Sequence, residues 1–396
     1  CHPRSSANDN ASGVAAGMEA FHILQELIAK GELAPLERGI RMIFIPEFTG
    51  TFPWLEEMGS DGRKKIKAGL NLDMVGARQG KDYGPITLSA IPNAMPNLAW
   101  DAALYVLDEI AKSAPSLSSE VQVPMFNYEI GDFEAGSDNY ILSDPTIGIP
   151  TPMLGQWPDK TYHTSSDTIE IIDPFVLQQS ASFAASYAYT LANLTPKDLP
   201  YLMVRGRHYF ICMCYKKRLA LQQKNENPKK IYASAALRLK ARVASNKAYL
   251  TYFKESPPEL LDMVEEENQW ISQMVEGEAD RFISDFYPDF NPQYEEAPQK
   301  YCYIPVRTFV APLNKLEDFT AGDEQKTKNY NTFNEDFRSK LNGPFSLDSL
   351  IQYNMDGKKT LWQIAQESIL EANEGTVEYV HAYIQFLNYL GLVEIV

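Results

Sequence analysis

Little in the chain ties it to a membrane, to nucleic acid or to an oxidising compartment. Nowhere in its 396 residues does an apolar run approach the ~18 residues that a membrane span requires. Positive charge is scarce: 36 Lys and Arg stand against 52 Asp and Glu, a formal net charge of −16. That balance argues against a surface that neutralises phosphates or binds anionic lipid, so neither nucleic acid nor membrane is expected as a partner. The four cysteines, Cys1, Cys212, Cys214 and Cys302, are too few and too scattered for a disulfide framework, and a reducing, cytoplasmic setting is expected. Cys212 and Cys214 have no partner cysteines nearby and read as a buried structural pair rather than a metal knuckle. An initiator methionine is missing too. The chain opens Cys1-His2-Pro3, so the expectation is a removed upstream segment or a fragment. Cys1 as a nucleophile released by processing is disfavoured, because nothing else reads as a self-cleaving hydrolase.

What the chain does have is 44% hydrophobic residues, enough for two or three domains with real cores. Over 1–195, strand-like and helix-like patterns alternate. Val14, Met18, Phe21, Leu24 and Ile28 recur at helical spacing and predict a helix over about 13–30, with Asn10 and Ser12 as caps. Ile40 to Pro46 and Gly69 to Val75 read as buried strands, and Ile86 to Ile91 and Pro150 to Trp157 as further ones. Asn97 to Ser113 and Phe175 to Leu194 read as amphipathic helices. Such alternation predicts an α/β layered domain with a mixed, mainly parallel sheet and flanking helices, whose chemistry gathers at strand C-termini.

Over 196–290 the pattern becomes long and helical, in the stretches Leu199–Gln223, Lys229–Lys254 and Pro258–Phe286, as in an insertion or connector. Its basic clusters at Lys216–Arg218 and Lys229–Lys230 read as solvated helix faces. Residues 291–344 read as a partly irregular linker. Residues 345–396 predict helices at Ser346–Tyr353, Leu361–Ala372 and Val377–Leu390, a C-cap at Gly391 and a strand at Leu392–Val396, the layout of a winged helix. Yet 360–396 contains no Lys or Arg, so this module is expected to contact protein or to be structural, not to read DNA.

Metal-assisted hydrolysis needs imidazoles and carboxylates around a cation, an open position for water, and a carboxylate to take the water's proton. The first domain offers suitable residue types at expected loop ends: His2 before Pro3, Asp9 in Ser6–Gly13, Glu47 after the 40–46 run, Asp73 after Asn71-Leu72, and His163 in a polar loop. Asp167 either steadies the His163 ring or caps the following helix. Each of these alone is more often a cap, turn or surface residue; the weight lies in the set.

The segments SANDNASG (Ser6–Gly13), NLDMVG (Asn71–Gly76), GSDNYILSDPTIGIPTPML (Gly136–Leu154) and YHTSSDT (Tyr162–Thr168) resemble the zinc aminopeptidases of clan MH, over roughly 1–195. The C-terminal layout resembles a bacterial aminopeptidase-like branch of that group. The resemblance implies a phosphorylase/hydrolase-like α/β core. It also implies that His2 and Asp73 hold one metal, that Asp9 bridges, that His163 holds a second, and that Glu47 is the general base. Gly136-Ser137-Asp138 would shape the site. The family usually has two consecutive glutamates where this chain has Glu47-Phe48, and Phe cannot ligate. One firm zinc on His2, Asp9 and Asp73 is therefore expected, with the second weak or absent. The family also places a strand before the first His, so a separate N-terminal segment, or a homo-oligomer, would complete the fold. Three functions follow from this: a peptide-cleaving aminopeptidase, a single-zinc amide cyclase or amidohydrolase, or a degenerate peptide-binding scaffold.

Overall fold

The computed structural model of the protein describes residues 5–112, 126–224, 226–253, 257–290 and 296–396. An irregular turn over Ala7–Ser12 runs into α1, Gly13–Ala29. The Asn10 side chain caps α1 by accepting from Gly13 N at 3.1 Å. Ser12 makes no cap; its hydroxyl accepts from Val75 N instead. After α1 come α2 (Thr51–Arg63), β1 (Asn71–Asp73), β2 (Ile86–Ser89), α3 (Ala99–Lys112), β3 (Tyr128–Gly131), the short α4 (Asn139–Leu142), β4 (Met153–Gln156) and α5 (Pro174–Asn193).

The four strands form one sheet in the order β1-β4-β2-β3. Pairs β1–β4 and β2–β3 are parallel, and β2–β4 is antiparallel. The sheet is thus mixed, and connection lengths explain why. Parallel neighbours need a crossover of roughly a dozen residues or more, usually helical. Helix α3 supplies one between β2 and β3. No helix lies between β1 and β2, and β2 runs opposite to β1. Ile86, Leu88 and Leu154 of the sheet are fully buried against Ala102, Ala103 and Leu107 of α3 and Phe183 of α5. Ala20 and Leu24 of α1 pack on Ala184 and Ala185 of α5.

The expected strand at Ile40–Pro46 does not form. These residues join no strand ladder, and Ile43 and Phe44 are 37% and 54% exposed. The nearby edge strand β1 offers little to pair with, because the Leu72 carbonyl already accepts from Asn10 Nδ2 at 2.9 Å.

Three long helices follow: α6 (Leu199–Gln223), α7 (Pro228–Tyr252) and α8 (Pro258–Phe286). Cys212 is exposed and Cys214 half-buried, so they are not the buried pair that their sequence suggests; burial still pushes the Cys214 thiol up to about 11. The segment read as a linker contains β5 (Pro305–Arg307) and α9 (Glu324–Asp336), the latter capped by Asp323. Then come α10 (Pro344–Asn354), α11 (Leu361–Ala372), α12 (Val377–Tyr389) and β6 (Val393–Ile395). A Thr360–Gln363 capping box starts α11, and Gly391 has the positive φ, 76°, expected of a C-cap glycine. Strand β6 pairs with β5, from ahead of these helices. The helices and the strand expected at the C-terminus form, but β6 pairs with β5 from the preceding segment and not within a wing hairpin.

A buried ion pair fastens the long helices to the sheet layer. Arg242 of α7 donates to both oxygens of Asp101 on α3, at 2.7 and 2.8 Å, and the Tyr249 hydroxyl donates to Asp101 at 2.6 Å. Replacing Arg242 with Met leaves a buried carboxylate short of its counter-charge. Arg242→Met is expected to cost about 3–5 kcal/mol of stability in denaturant titration.

Candidate active site

Three side chains of the opening turn stitch it to the exit of β1. Asn8 Oδ1 accepts from Gly76 N and Ala77 N at 3.0 and 3.1 Å. Asn10 Oδ1 accepts from Met74 N at 3.2 Å while its Nδ2 holds the Leu72 carbonyl. The Ser12 hydroxyl accepts from Val75 N at 2.9 Å. Gly13 permits this approach, since a Cβ there would lie 2.3 Å from the Leu72 carbonyl oxygen. Short amide and hydroxyl side chains bonding to nearby backbone are well suited to such a turn. The result is that Asp9 is delivered beside Asp73, the last residue of β1.

Asp167 neither steadies His163 nor caps a helix. Its carboxylate accepts from Asn8 N at 2.7 Å and Asp9 N at 3.0 Å, and so fixes the backbone on both sides of the Asn8–Asp9 bond. The cap of α5 is Asp173, which accepts from Phe175 N with Pro174 at the first turn. His163 sits at a positive φ of 57°, with its ring stacked on Tyr162 at 3.7 Å and Trp157 edge-on to Tyr162 at 5.1 Å. Its Nε2 lies 3.2 Å from Asp9 Oδ2.

Asp73 Oδ1 is buried and finds no hydrogen-bond partner among the described residues. Burial, with the Asp9 charge adding to it, pushes the Asp73 carboxyl up to about 6, against a bond from Ser137. Glu47 is exposed as a residue. Enough protein lies around its carboxyl to push it up to about 7, chiefly by desolvation, with Asp73, Asp138 and Asp9 adding to it and a Ser137 bond opposing. The Ser137 hydroxyl thus lies near both Glu47 and Asp73. Asp138 accepts from Phe48 N at 2.9 Å and so ties down the turn that carries Glu47. Phe48 has a φ of 56°, and its ring packs on Tyr140 at 5.5 Å.

Of the residues expected from sequence, Asp9 and His163 are in contact, and Asp73 and Glu47 lie close enough to them for their charges to be felt. His2 and Cys1 lie outside the described residues. Sequence reasoning missed the holding roles of Asn8, Asn10 and Asp167; the density of Asn, Asp and Ser in 6–12 was the available signal. It also missed Tyr140 and Trp157, which carry no pattern of their own. The recess among α6, α7 and α8, lined by Ile211, Leu221, Val275 and Phe282, shares no residue with this cluster.

Among the described residues, no three His, Cys, Asp or Glu side chains are closed into a metal-holding group. The donor set nevertheless fits a divalent ion. Two ligands on one tetrahedral zinc, at ~2.0–2.1 Å each, lie roughly 3.3 Å apart, close to the Asp9–His163 separation of 3.2 Å. The bare Asp73 oxygen and three mutually repelling carboxylates supply the charge that a cation would offset.

Residues 2–188 match Peptidase family M28, a span that contains all the candidate residues from His2 to His163. That span is just under half of the chain, and over it the chain is similar to that family. Among solved structures, the M28 segment is similar to a zinc aminopeptidase from Bacillus subtilis, with 20% identity and a TM-score of 0.37 over 46% of this chain and 42% of that one. It is also similar to an aminopeptidase from Aneurinibacillus sp. strain AM-1, with 22% identity and a TM-score of 0.32 over 48% and 40% of the two chains. A provisionally assigned peptidase from Clostridium acetobutylicum aligns over 98% of this chain and 54% of its own, at 17% identity and a TM-score of 0.31. The chain therefore spans less than half the length of the first two. No curated relative matches it.

The raised Asp73 carboxyl makes a signed prediction for the metal-free protein. Folded Asp73 holds its proton up to about 6, whereas the unfolded chain releases it near 3.9. The folded state binds more protons between these values, so this group lowers stability as pH rises through them. Asp73→Asn is expected to raise the denaturation midpoint of the metal-free protein at about pH 7.5, and to leave it nearly unchanged at about pH 3, where Asp73 is mostly protonated both folded and unfolded.

Proposed function

We propose that the protein is a zinc-dependent hydrolase of the aminopeptidase kind, removing N-terminal residues from peptides. The observation that carries this reading is the convergence of Asp9 on His163, with a buried Asp73 oxygen that has no partner among the described residues and the Glu47 carboxyl close enough to feel the charges of Asp73 and Asp9. The M28 match over the same residues supports it. Asp9 and Asp73, with His2, would hold one zinc, and His163 a weaker second.

Zinc, when bound, polarises the scissile carbonyl and acidifies water. The Glu47 carboxylate takes the water's proton and returns it to the leaving amine nitrogen. Its raised affinity for protons suits it to both halves of that transfer. Asp138 ties down the turn that carries Glu47 by accepting from Phe48 N, and so keeps the base from drifting away from the ligands. The Tyr162 phenol stays protonated, because burial and the charges of Asp9, Glu47 and Asp73 all raise it; it can donate a hydrogen bond but cannot act as a base at neutral pH.

Phe48 favours a second reading on the same site. Its ring packs on Tyr140 where the family usually supplies a further carboxylate, and one firm zinc also suits an amide cyclase or amidohydrolase. N-terminal Gln peptides that lose mass without cleavage would select that reading. A bare scaffold is selected instead by purified protein that carries no transition metal. The partner in the first two readings is a peptide. Nucleic acid is not a partner in any of them, and among the described residues no helix is long and apolar enough to cross a membrane.

Glu47→Gln is expected to lower turnover of aminoacyl anilides by roughly 10²–10⁴-fold, with zinc content by elemental analysis unchanged. Wild-type rates in this variant would contradict the assignment of the base.

A further inference from the structure

The C-terminal helices reach the turn that carries Glu47. On α10, the Tyr353 hydroxyl donates to the Tyr140 carbonyl at 2.6 Å, and the Phe345 ring lies edge-on to the Tyr140 ring at 4.8 Å. The Ser346 hydroxyl accepts from Ala135 N at 3.1 Å. Tyr140 is fully buried and Tyr353 nearly so. One core unites Leu350 and Tyr353 of α10 with Tyr140, Ile141, Phe133 and Leu55 from the first part of the chain. A second clamp lies beside it: Arg307 of β5 pairs with the buried Asp144, and Thr146 binds both Arg307 and Ala311 N.

Tyr140 belongs to α4, which is flanked at its N-terminal side by Asp138. Asp138 in turn holds Phe48 N, and the Tyr140 ring holds the Phe48 ring. Phe48 needs such holding. A non-glycine residue at a φ of 56° is strained by about 1–3 kcal/mol and persists only where its surroundings over-determine it. Glu47 precedes it on the same turn, which is closed by Gly50 N on the Pro46 carbonyl at 2.8 Å.

We infer that Tyr353 is a positioning residue for Glu47, acting through Tyr140, Asp138 and the Phe48 turn, so that the C-terminal helices brace the active site rather than serve a separate function. This rests on the reading of Glu47 as the general base. The chain of contacts is continuous and each link is short. An error of about 1 Å at a reacting group costs on the order of a hundredfold in rate, so a loosened turn is felt at the base.

Tyr353→Phe in the full chain tests it with two readouts. In the metal-free protein, amide hydrogen exchange over residues 47–52 is expected to quicken about tenfold while α5 exchanges as before, the mark of a local opening. In the zinc-loaded protein, kcat is expected to fall about tenfold with KM and zinc content unchanged. Unchanged exchange over 47–52, equal quickening everywhere, or an unchanged kcat overturns the inference. Phe345→Leu, which keeps the hydroxyl bond and trims only the ring contact, takes the place of Tyr353→Phe if that variant does not fold, with the same expectations. If the wild-type chain hydrolyses no peptide, the proposed function fails, and the exchange result alone decides whether the brace exists.

Discussion

The site depends on one constraint: two aspartates from distant parts of the chain are held together against their own repulsion. Asp9 lies on an irregular turn that no helix or strand supports. Asn8, Asn10, Ser12 and Asp167 replace that support with hydrogen bonds to the end of β1 and to the turn itself. The two that Asp167 accepts are charge-assisted, roughly 1.5–3 kcal/mol each, and those made by the neutral Asn and Ser side chains contribute about 0.5–1.5 kcal/mol each. They offset the cost of setting Asp9 close enough to raise the Asp73 carboxyl. A turn held less firmly would relax until the carboxylates parted.

The wider architecture serves the same end from further away. Strand β1 brings Asp73 to the edge of the sheet, and β4 beside it leads into the loop that carries His163. The loop between β3 and β4 contributes Ser137, beside Glu47 and Asp73, and Asp138, which holds the Glu47 turn. That loop has little secondary structure of its own beyond the short α4, and its apolar side chains, Tyr140, Ile141, Ile147 and Ile149, are buried against the C-terminal helices. Stability and chemistry therefore meet in this loop: the contacts that bury it are also those that aim its polar residues.

Much of the fold was legible from periodicity. The long helices α6 and α8 begin and end where the apolar spacing and the Pro breaks predict, and α1, α11 and Gly391 follow their caps. The exceptions share a cause. The run at 40–46 has the composition of a buried strand, but composition does not reveal whether a neighbour with free hydrogen-bonding groups lies alongside. The mixed sheet is not among them, for two of its three pairings are parallel, as expected. Helix α9 is polar, with few apolar positions to mark it, and only its Asp323 cap betrays it. At the site, residue types at strand ends pointed to Asp9, Asp73, Glu47 and His163. Asp167 was assigned the wrong partner, because a carboxylate in a loop can accept from any nearby donor and sequence separation says nothing about a turn 158 residues away. Tyr140 was invisible for a similar reason, since its importance comes from α10, more than two hundred residues further along the chain.

The central claim is that this cluster of acids and imidazole exists to surround a divalent ion. Anomalous diffraction at the zinc absorption edge, from crystals of the zinc-loaded protein, tests it most directly. A strong peak is expected within bonding distance of Asp9 and Asp73, with the Glu47 carboxylate alongside but not bonded to it. A protein that takes up zinc only at other positions, or whose Asp9 and Asp73 oxygens turn away from the metal, would contradict it.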